Sequence, residues 1–348
     1  MLGIEPRAAR YAWTVAAIVG LLVVVFLIRT TLFVFVAALL FAYLLSPLVD
    51  LIDRFLPASR TRTPALALAY VFFVAVLVLA GMQVGGRVVE QANALAQRFP
   101  DMVARWQQSI EIPQSGSLQH QVFEKIREQV QLHANELVAA LPQAGLRLLA
   151  LAGDLLHVIM VPILAFFFLK DGRGIREHFI GAIEGESHRA LAHDLIADVH
   201  LLLAHYMRAL FLLSLATFLC YGLFFAAAGV PYALLLAAVA FALEFIPMIG
   251  PLTAAILIVL VAAVSGGPVL AILGFLGAYR LFQDYVLTPY LMGSGVELHP
   301  LLVIFGVFAG AELAGIPGTF LSVPALALLR ILYRRVRKQR ELVAAAAS

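Results

Sequence analysis

Residues 232–264 read YALLLAAVAFALEFIPMIGPLTAAILIVLVAAV, an apolar tract too long for one membrane crossing and interrupted near its middle by EFIPMIGP, Glu244 to Pro251. A proline removes a backbone donor and clashes with the preceding turn, while a glycine permits the tight reversal that follows. The tract therefore breaks there. Residues 298–332, LHPLLVIFGVFAGAELAGIPGTFLSVPALALLRIL, repeat the pattern with ELAGIPG, Glu312 to Gly318. Each arm is then about 13 to 16 residues, or roughly 20 to 24 Å at 1.5 Å per residue. That falls short of a hydrocarbon core of about 30 Å. Such arms read as helical hairpins that enter and leave on one face with their tips at membrane depth. Two short tilted spans per tract would give the same parity. Interrupted segments in corresponding positions of an inverted repeat are the best sequence pointer to a transporter's binding site.

The rest of the chain sets this reading in a bilayer. Of 348 residues, 63% are hydrophobic and 13% charged, against about 45–50% and about 25% in soluble domains. The formal charge of +3 gives no reason to invoke nucleic acid. Tyr11 to Ile28, Leu32 to Val49, Pro64 to Val84, Leu148 to Leu169 and Ala209 to Ala228 each suit one spanning helix, and Val269 to Leu291 a further one. The first is expected to stay in the mature chain, since no small-residue cleavage pattern follows it. Basic residues then set the orientation. Arg7 and Arg10, then Arg54, Arg60 and Arg62, then Lys170, Arg173 and Arg176, and finally RILYRRVRKQR all fall in segments expected in the cytoplasm. Parity places Gly85 to Arg147 outside, brings the first hairpin in from outside and the second from the cytoplasm. The resulting organisation is three N-terminal spans (1–84), an extracytoplasmic helical segment (85–146), a fourth span (147–169), a cytoplasmic helical segment (170–208), a core with the two hairpins (209–332) and a basic cytoplasmic tail (333–348).

Outside the membrane, Val88, Ala92, Leu95 and Phe99 recur at helical spacing, and Phe123, Ile126, Val130 and Leu137 do so again, which predicts two amphipathic helices. The cytoplasmic segment holds His178, His188, His193, His200 and His205, yet no two are four apart, so no metal site is expected. The single cysteine, Cys220, lies in an apolar run and reads as a small buried hydrophobe. No Gly-Lys pair, HExxH or GxSxG occurs. The familiar routes to ATP, zinc and serine hydrolysis are therefore missing, and neither enzymatic activity nor a cofactor is expected.

A charge at the bilayer centre costs about 2.5 to 3.5 kcal/mol on insertion scales, so intramembrane ionisable residues are functional candidates. Glu244 and Glu312 precede the two breaks, and Pro247, Gly250, Pro251, Gly315, Pro317 and Gly318 shape them. A broken helix leaves backbone groups that can bind ions or polar solutes where they line a cavity. Arg280 and Asp284, four apart, can form an ion pair along one helix face. Asp154 and His157, three apart, are secondary candidates.

LAFFFLKDG (164–172), HYMR (205–208), EFIPMIGP, TPYLMG, ELHPLLVIFGVFAG and LAGIPGTFLSVPALALLRIL, in that order, resemble the autoinducer-2 exporter family of permeases. The resemblance covers nearly the whole chain. It implies export of a small polar solute such as autoinducer-2, driven by an ion gradient or passive, or else exchange of sodium or lithium for protons. It also implies a homo-oligomer in a bacterial inner membrane, with both termini cytoplasmic. The expected fold is an all-α polytopic membrane protein of five or six full spans plus two broken hairpins. The competing class is a non-transporting scaffold that works through its outer segment. Under that reading Glu244→Gln and Glu312→Gln are silent.

Overall fold

The computed structural model describes residues 6–55, 63–109, 155–292 and 298–347, and among these it is helical with no strand. In chain order the helices are α1 (Pro6–Leu27), α2 (Arg29–Phe55), α3 (Thr63–Ala80), α4 (Gly86–Ser109), α5 (Leu155–Gly181), α6 (Glu186–Ala227), α7 (Ala233–Leu243), α8 (Ile249–Val264), α9 (Val269–Phe282), α10 (Thr288–Met292) and α11 (Pro300–Ala347). Among the described residues, six helical runs are long and apolar enough to cross a membrane: Arg10–Leu27, Arg29–Phe55, Thr63–Trp106, Glu186–Ala227, Val269–Leu291 and Pro300–Arg335. The fold is that of a polytopic α-helical membrane protein.

The apolar runs become helices because their backbone groups must pair internally once they leave water. Their side chains then decide which faces meet. Described side chains of α1 are exposed on every side, whereas α2 buries Val34, Ala38, Leu45 and Val49. Around α2, helices α3 and α5 close a first layer in which Phe41 meets Phe73 edge to face, and the Tyr70 hydroxyl donates to the Pro162 carbonyl over 3.1 Å. The α6 helix forms the spine of the molecule and packs against α2, α5, α7, α10 and α11. A second core joins α6, α7, α8 and α9 around Phe225, Ala237, Ile258 and Ile272.

Two stretches extend beyond their expected bounds. The fifth span and residues 186–208 of the segment before it are one unbroken helix, α6, while residues 170–181 continue α5, and the basic tail continues α11 through residue 347. Of the two amphipathic helices expected between the third and fourth spans, the first is α4, which follows α3 through a π-helical turn at Gly81–Gly85. Its Leu95 and Phe99 are buried against the second core. The Gln91 side chain accepts a hydrogen bond from the Leu235 amide over 2.9 Å, and so caps the start of α7. The second expected amphipathic helix lies outside the described residues, as do residues 148–154 of the expected fourth span.

Candidate functional site

The first tract breaks at 244–248. Met248 takes a left-handed φ of 63°, and Pro251 falls in the first turn of α8, where a missing N–H costs nothing. Gly250 has no room for a side chain, since a Cβ there would lie 1.8 Å from the Leu243 carbonyl oxygen. Pro247 carries the corner, its carbonyl accepting from the Ile249 amide over 2.7 Å. The chain thus reverses within five residues, and α7 and α8 pack side by side.

Glu244 stands at this corner and is 8% exposed. Gln283 donates its side-chain amide to Glu244 Oε1. The Thr217 hydroxyl reaches Glu244 Oε2 at 3.4 Å and lies 3.0 Å from the Tyr279 hydroxyl. A threonine has one hydroxyl proton. With that proton directed at Glu244, Tyr279 donates to Thr217, and the three groups form a chain of donors ending on the carboxylate. Thr217 comes from α6, Tyr279 from α9, and Gln283 from the first position of a π-helical turn, Gln283–Leu287, in the apolar run Val269–Leu291. The extra residue of a π turn interrupts the regular helix, and such turns are frequent at functional sites. The next residue of the corner, Phe245, points elsewhere. It packs in a third cluster, with Leu40 of α2, Leu203 and Tyr206 of α6 and Val323 of α11.

Arg280 and Asp284 form the expected pair, with Arg280 Nε 2.8 Å from Asp284 Oδ2 and both side chains nearly half exposed. The pair flanks Gln283, which is 4% exposed. On one stretch of helix the amide faces inward to Glu244 while the ion pair faces outward.

The second tract also reverses, at a kink within α11. Ala314 and Gly315 leave the helical region, Gly315 with a φ of 63°. A Cβ on Gly310 would lie 2.3 Å from the Gly318 carbonyl oxygen, and one on Gly306 would lie 2.5 Å from Leu326 Cδ1. In a straight helix residues 310 and 318 are about 12 Å apart, so these contacts exist only because the arms fold back on each other. Gly306, Gly310, Ala314, Gly318 and Ser322 recur every fourth residue and let the two backbones touch, as small residues do between membrane helices. Pro317 sits in the first turn of the returning arm, where it is tolerated.

The two corners are not equivalent. Residues 311–316, Glu312 and Gly315 among them, are exposed. The first corner meets the second hairpin along its returning arm, where the rings of Phe245 and Phe320 are 6.1 Å apart. Glu244 and Glu312 are therefore not brought together by burial around one pocket. Asp154 lies outside the described residues, and His157 is placed only as part of α5.

Sequence reasoning missed Thr217, Tyr279 and Gln283, all uncharged and so without a hydropathy signal of their own. It also missed Tyr206, whose buried hydroxyl has no hydrogen-bond partner among the described residues. Tyr206 and Thr217 are eleven positions, about three turns, apart and share a face of α6. With buried Ser214 and Tyr221 they run a line of hydroxyls along that helix. No group of three or more potential metal ligands occurs among the described residues.

Residues 15–338 match the model of the AI-2E family transporter. "Putative transport protein MT0215" of Mycobacterium tuberculosis (strain CDC 1551 / Oshkosh) is 30% identical over 338 residues, covering 92% of this chain and 88% of that one. "Putative transport protein YueF" of Bacillus subtilis (strain 168) is 25% identical over 320 residues, with 89% and 85% covered. Together with six bilayer-length apolar runs and two helical hairpins, a match of this extent establishes that the chain belongs to the AI-2E transporter family, a family of multi-pass membrane transport proteins.

Proposed function

We propose that the protein exports a small polar solute across a bacterial inner membrane, and that the solute binds at the first corner against Glu244. The carrying observation is the buried Glu244 carboxylate, held by Gln283 and by the Thr217–Tyr279 pair, at a break in an apolar hairpin. A carboxylate and two hydroxyls offer a polyhydroxylated, near-neutral solute such as autoinducer-2 the acceptors and donors it needs. The line of hydroxyls on α6, with Tyr206, which has no partner among the described residues, supplies further polar contacts along the same helix.

In this reading the hairpins are re-entrant, the first entering from outside and the second from the cytoplasm, with both chain ends cytoplasmic. The side-by-side arrangement of the tail and the segment expected in the cytoplasm supports it, since Arg335 lies 2.6 Å from Asp198 and 3.0 Å from Asp194. Movement of the second hairpin reaches the site through Phe320 and Phe245, because Phe245 is the neighbour of Glu244 in the chain.

The test is solute export from cells and uptake into everted vesicles by Glu244→Gln and Glu312→Gln. Export by Glu244→Gln is expected to fall at least tenfold, and that by Glu312→Gln to stay within about twofold. Unchanged export in both variants would overturn the proposal and favour a scaffold role. If everted vesicles instead show sodium-dependent alkalinisation that Glu244→Gln abolishes, the same carboxylate exchanges a cation for a proton.

A further inference from the structure

A hydroxyl taken out of water gives up its solvent hydrogen bonds, and the loss is returned only where the structure supplies a partner. Buried polar side chains nearly always have one, and an exception asks for a reason. Among the described residues Tyr206 is that exception: it is 4% exposed and its hydroxyl meets neither donor nor acceptor. The other hydroxyls at depth are engaged. Thr217 pairs with Tyr279, Ser214 donates to the Leu210 carbonyl over 2.9 Å, and Thr319 and Ser322 donate to carbonyls of their own helix. A phenylalanine at 206 would fill the same apolar space without the loss, so packing does not account for the hydroxyl.

The third cluster seats Tyr206 among Leu40 of α2, Leu203 of α6, Phe245 of the first corner, and Phe320, Val323 and Ala327 of the second hairpin's returning arm. Residues 320, 323 and 327 follow at intervals of three and four, so one face of that arm roofs the tyrosine. Along α6, Tyr206 stands about 16 Å from Thr217, toward the Glu186 end that is expected in the cytoplasm. Phe245 belongs to the Tyr206 cluster and is the chain neighbour of Glu244, so its ring joins the two places. Among the described residues Glu244 is the one buried charged group. Given solute binding at Glu244, on which this rests, we propose that Tyr206 is a second, cytoplasm-side station, uncovered when the returning arm withdraws from α6. It takes an uncharged, hydroxyl-bearing solute by sharing a hydrogen bond with one of its oxygens. An ion arriving there meets no counter-charge of its own, whereas a polyol gives the hydroxyl the partner it lacks. The unpaired hydroxyl also destabilises the closed arrangement relative to the open one, which favours the step that admits the solute.

The test pairs stability with transport. Without solute, Tyr206→Phe is expected to raise the thermal unfolding midpoint in detergent, because it removes an unsatisfied group. Tyr70→Phe removes a hydroxyl that donates to the Pro162 carbonyl, and is expected to lower the midpoint while leaving transport within about twofold of the parent. Everted vesicles present the cytoplasmic face to the medium. In them Tyr206→Phe is expected to need about three- to tenfold more autoinducer-2 for half-saturation of uptake, the worth of one neutral hydrogen bond. A midpoint that moves the same way in the two variants, half-saturation unchanged by Tyr206→Phe, or sodium-dependent alkalinisation by the parent protein would overturn the proposal. Glu244→Gln is measured alongside. Uptake lost in Glu244→Gln with parent-like half-saturation in Tyr206→Phe overturns the second station and leaves the first, whereas parent-like uptake in both overturns both.

Discussion

Glu244 accepts from two side chains that stand on different helices, and the donors are not equivalent. Thr217 donates to the carboxylate directly, whereas Tyr279 acts one step back by donating to Thr217. Thr217→Val strips a donor from a buried carboxylate, which costs about 1 to 3 kcal/mol. Tyr279→Phe leaves that donor in place and removes one neutral hydrogen bond, worth about 0.5 to 1.5 kcal/mol. Thermal unfolding in detergent is expected to show a larger drop in midpoint for Thr217→Val than for Tyr279→Phe; the reverse order would reverse the direction of the donor chain. In the sequence Glu244 and Glu312 look alike, each an acid just before a Pro/Gly break. What separates them is burial by α6 and α9, a long-range event that local pattern does not carry. For the same reason Thr217 and Gln283 were illegible: a lone threonine or glutamine in an apolar run has no spacing that marks it.

The second hairpin is held by contact between its own backbones. Gly310 and Gly318 oppose each other so closely that a methyl group on either meets a carbonyl oxygen, at 2.3 Å and 2.0 Å. Gly310→Ala forces the arms apart, a kind of overpacking that costs about 1 to 3 kcal/mol, and export is expected to fall with the unfolding midpoint. The control is Gly277→Ala on α9, where an added Cβ meets nothing within 4 Å. That change is expected to raise stability by about 0.5 to 1 kcal/mol. Equal midpoints for the two variants would contradict the packed hairpin. The existence of both breaks was legible, because proline and glycine act locally on the backbone. The exact corner was less so: in the second tract it falls at Ala314 and Gly315, just before the proline. Nor did sequence show that α6 runs unbroken from Glu186 to Ala227. Polar and apolar halves of one helix differ in hydropathy, and a change of solvent reads like a change of element.

Across the molecule, α6 packs against α2, α5, α7, α10 and α11 and reaches α9 through Thr217 and Tyr279, and the first corner sits between its polar face and the second hairpin. Adjacent residues divide the work: Glu244 faces Thr217 and Gln283, while Phe245 faces Tyr206, Val323 and Phe320. A shift of the second hairpin against α6 must therefore pass through Phe245 before it reaches the carboxylate. On the cytoplasmic side of the proposed topology Arg335 bridges Asp194 and Asp198, tying the returning arm to α6. Arg335→Ala loosens that tie and is expected to change the export rate by a few-fold without abolishing export. The most direct test of the mechanism joins the two rings' positions. In a Cys220→Ser background, Phe245→Cys with Phe320→Cys is bridged by a short, reducible bis-thiol reagent, and export is measured before bridging, after it and after reduction. The account predicts export that falls to background on bridging and returns on reduction; full export through the bridged protein would contradict it.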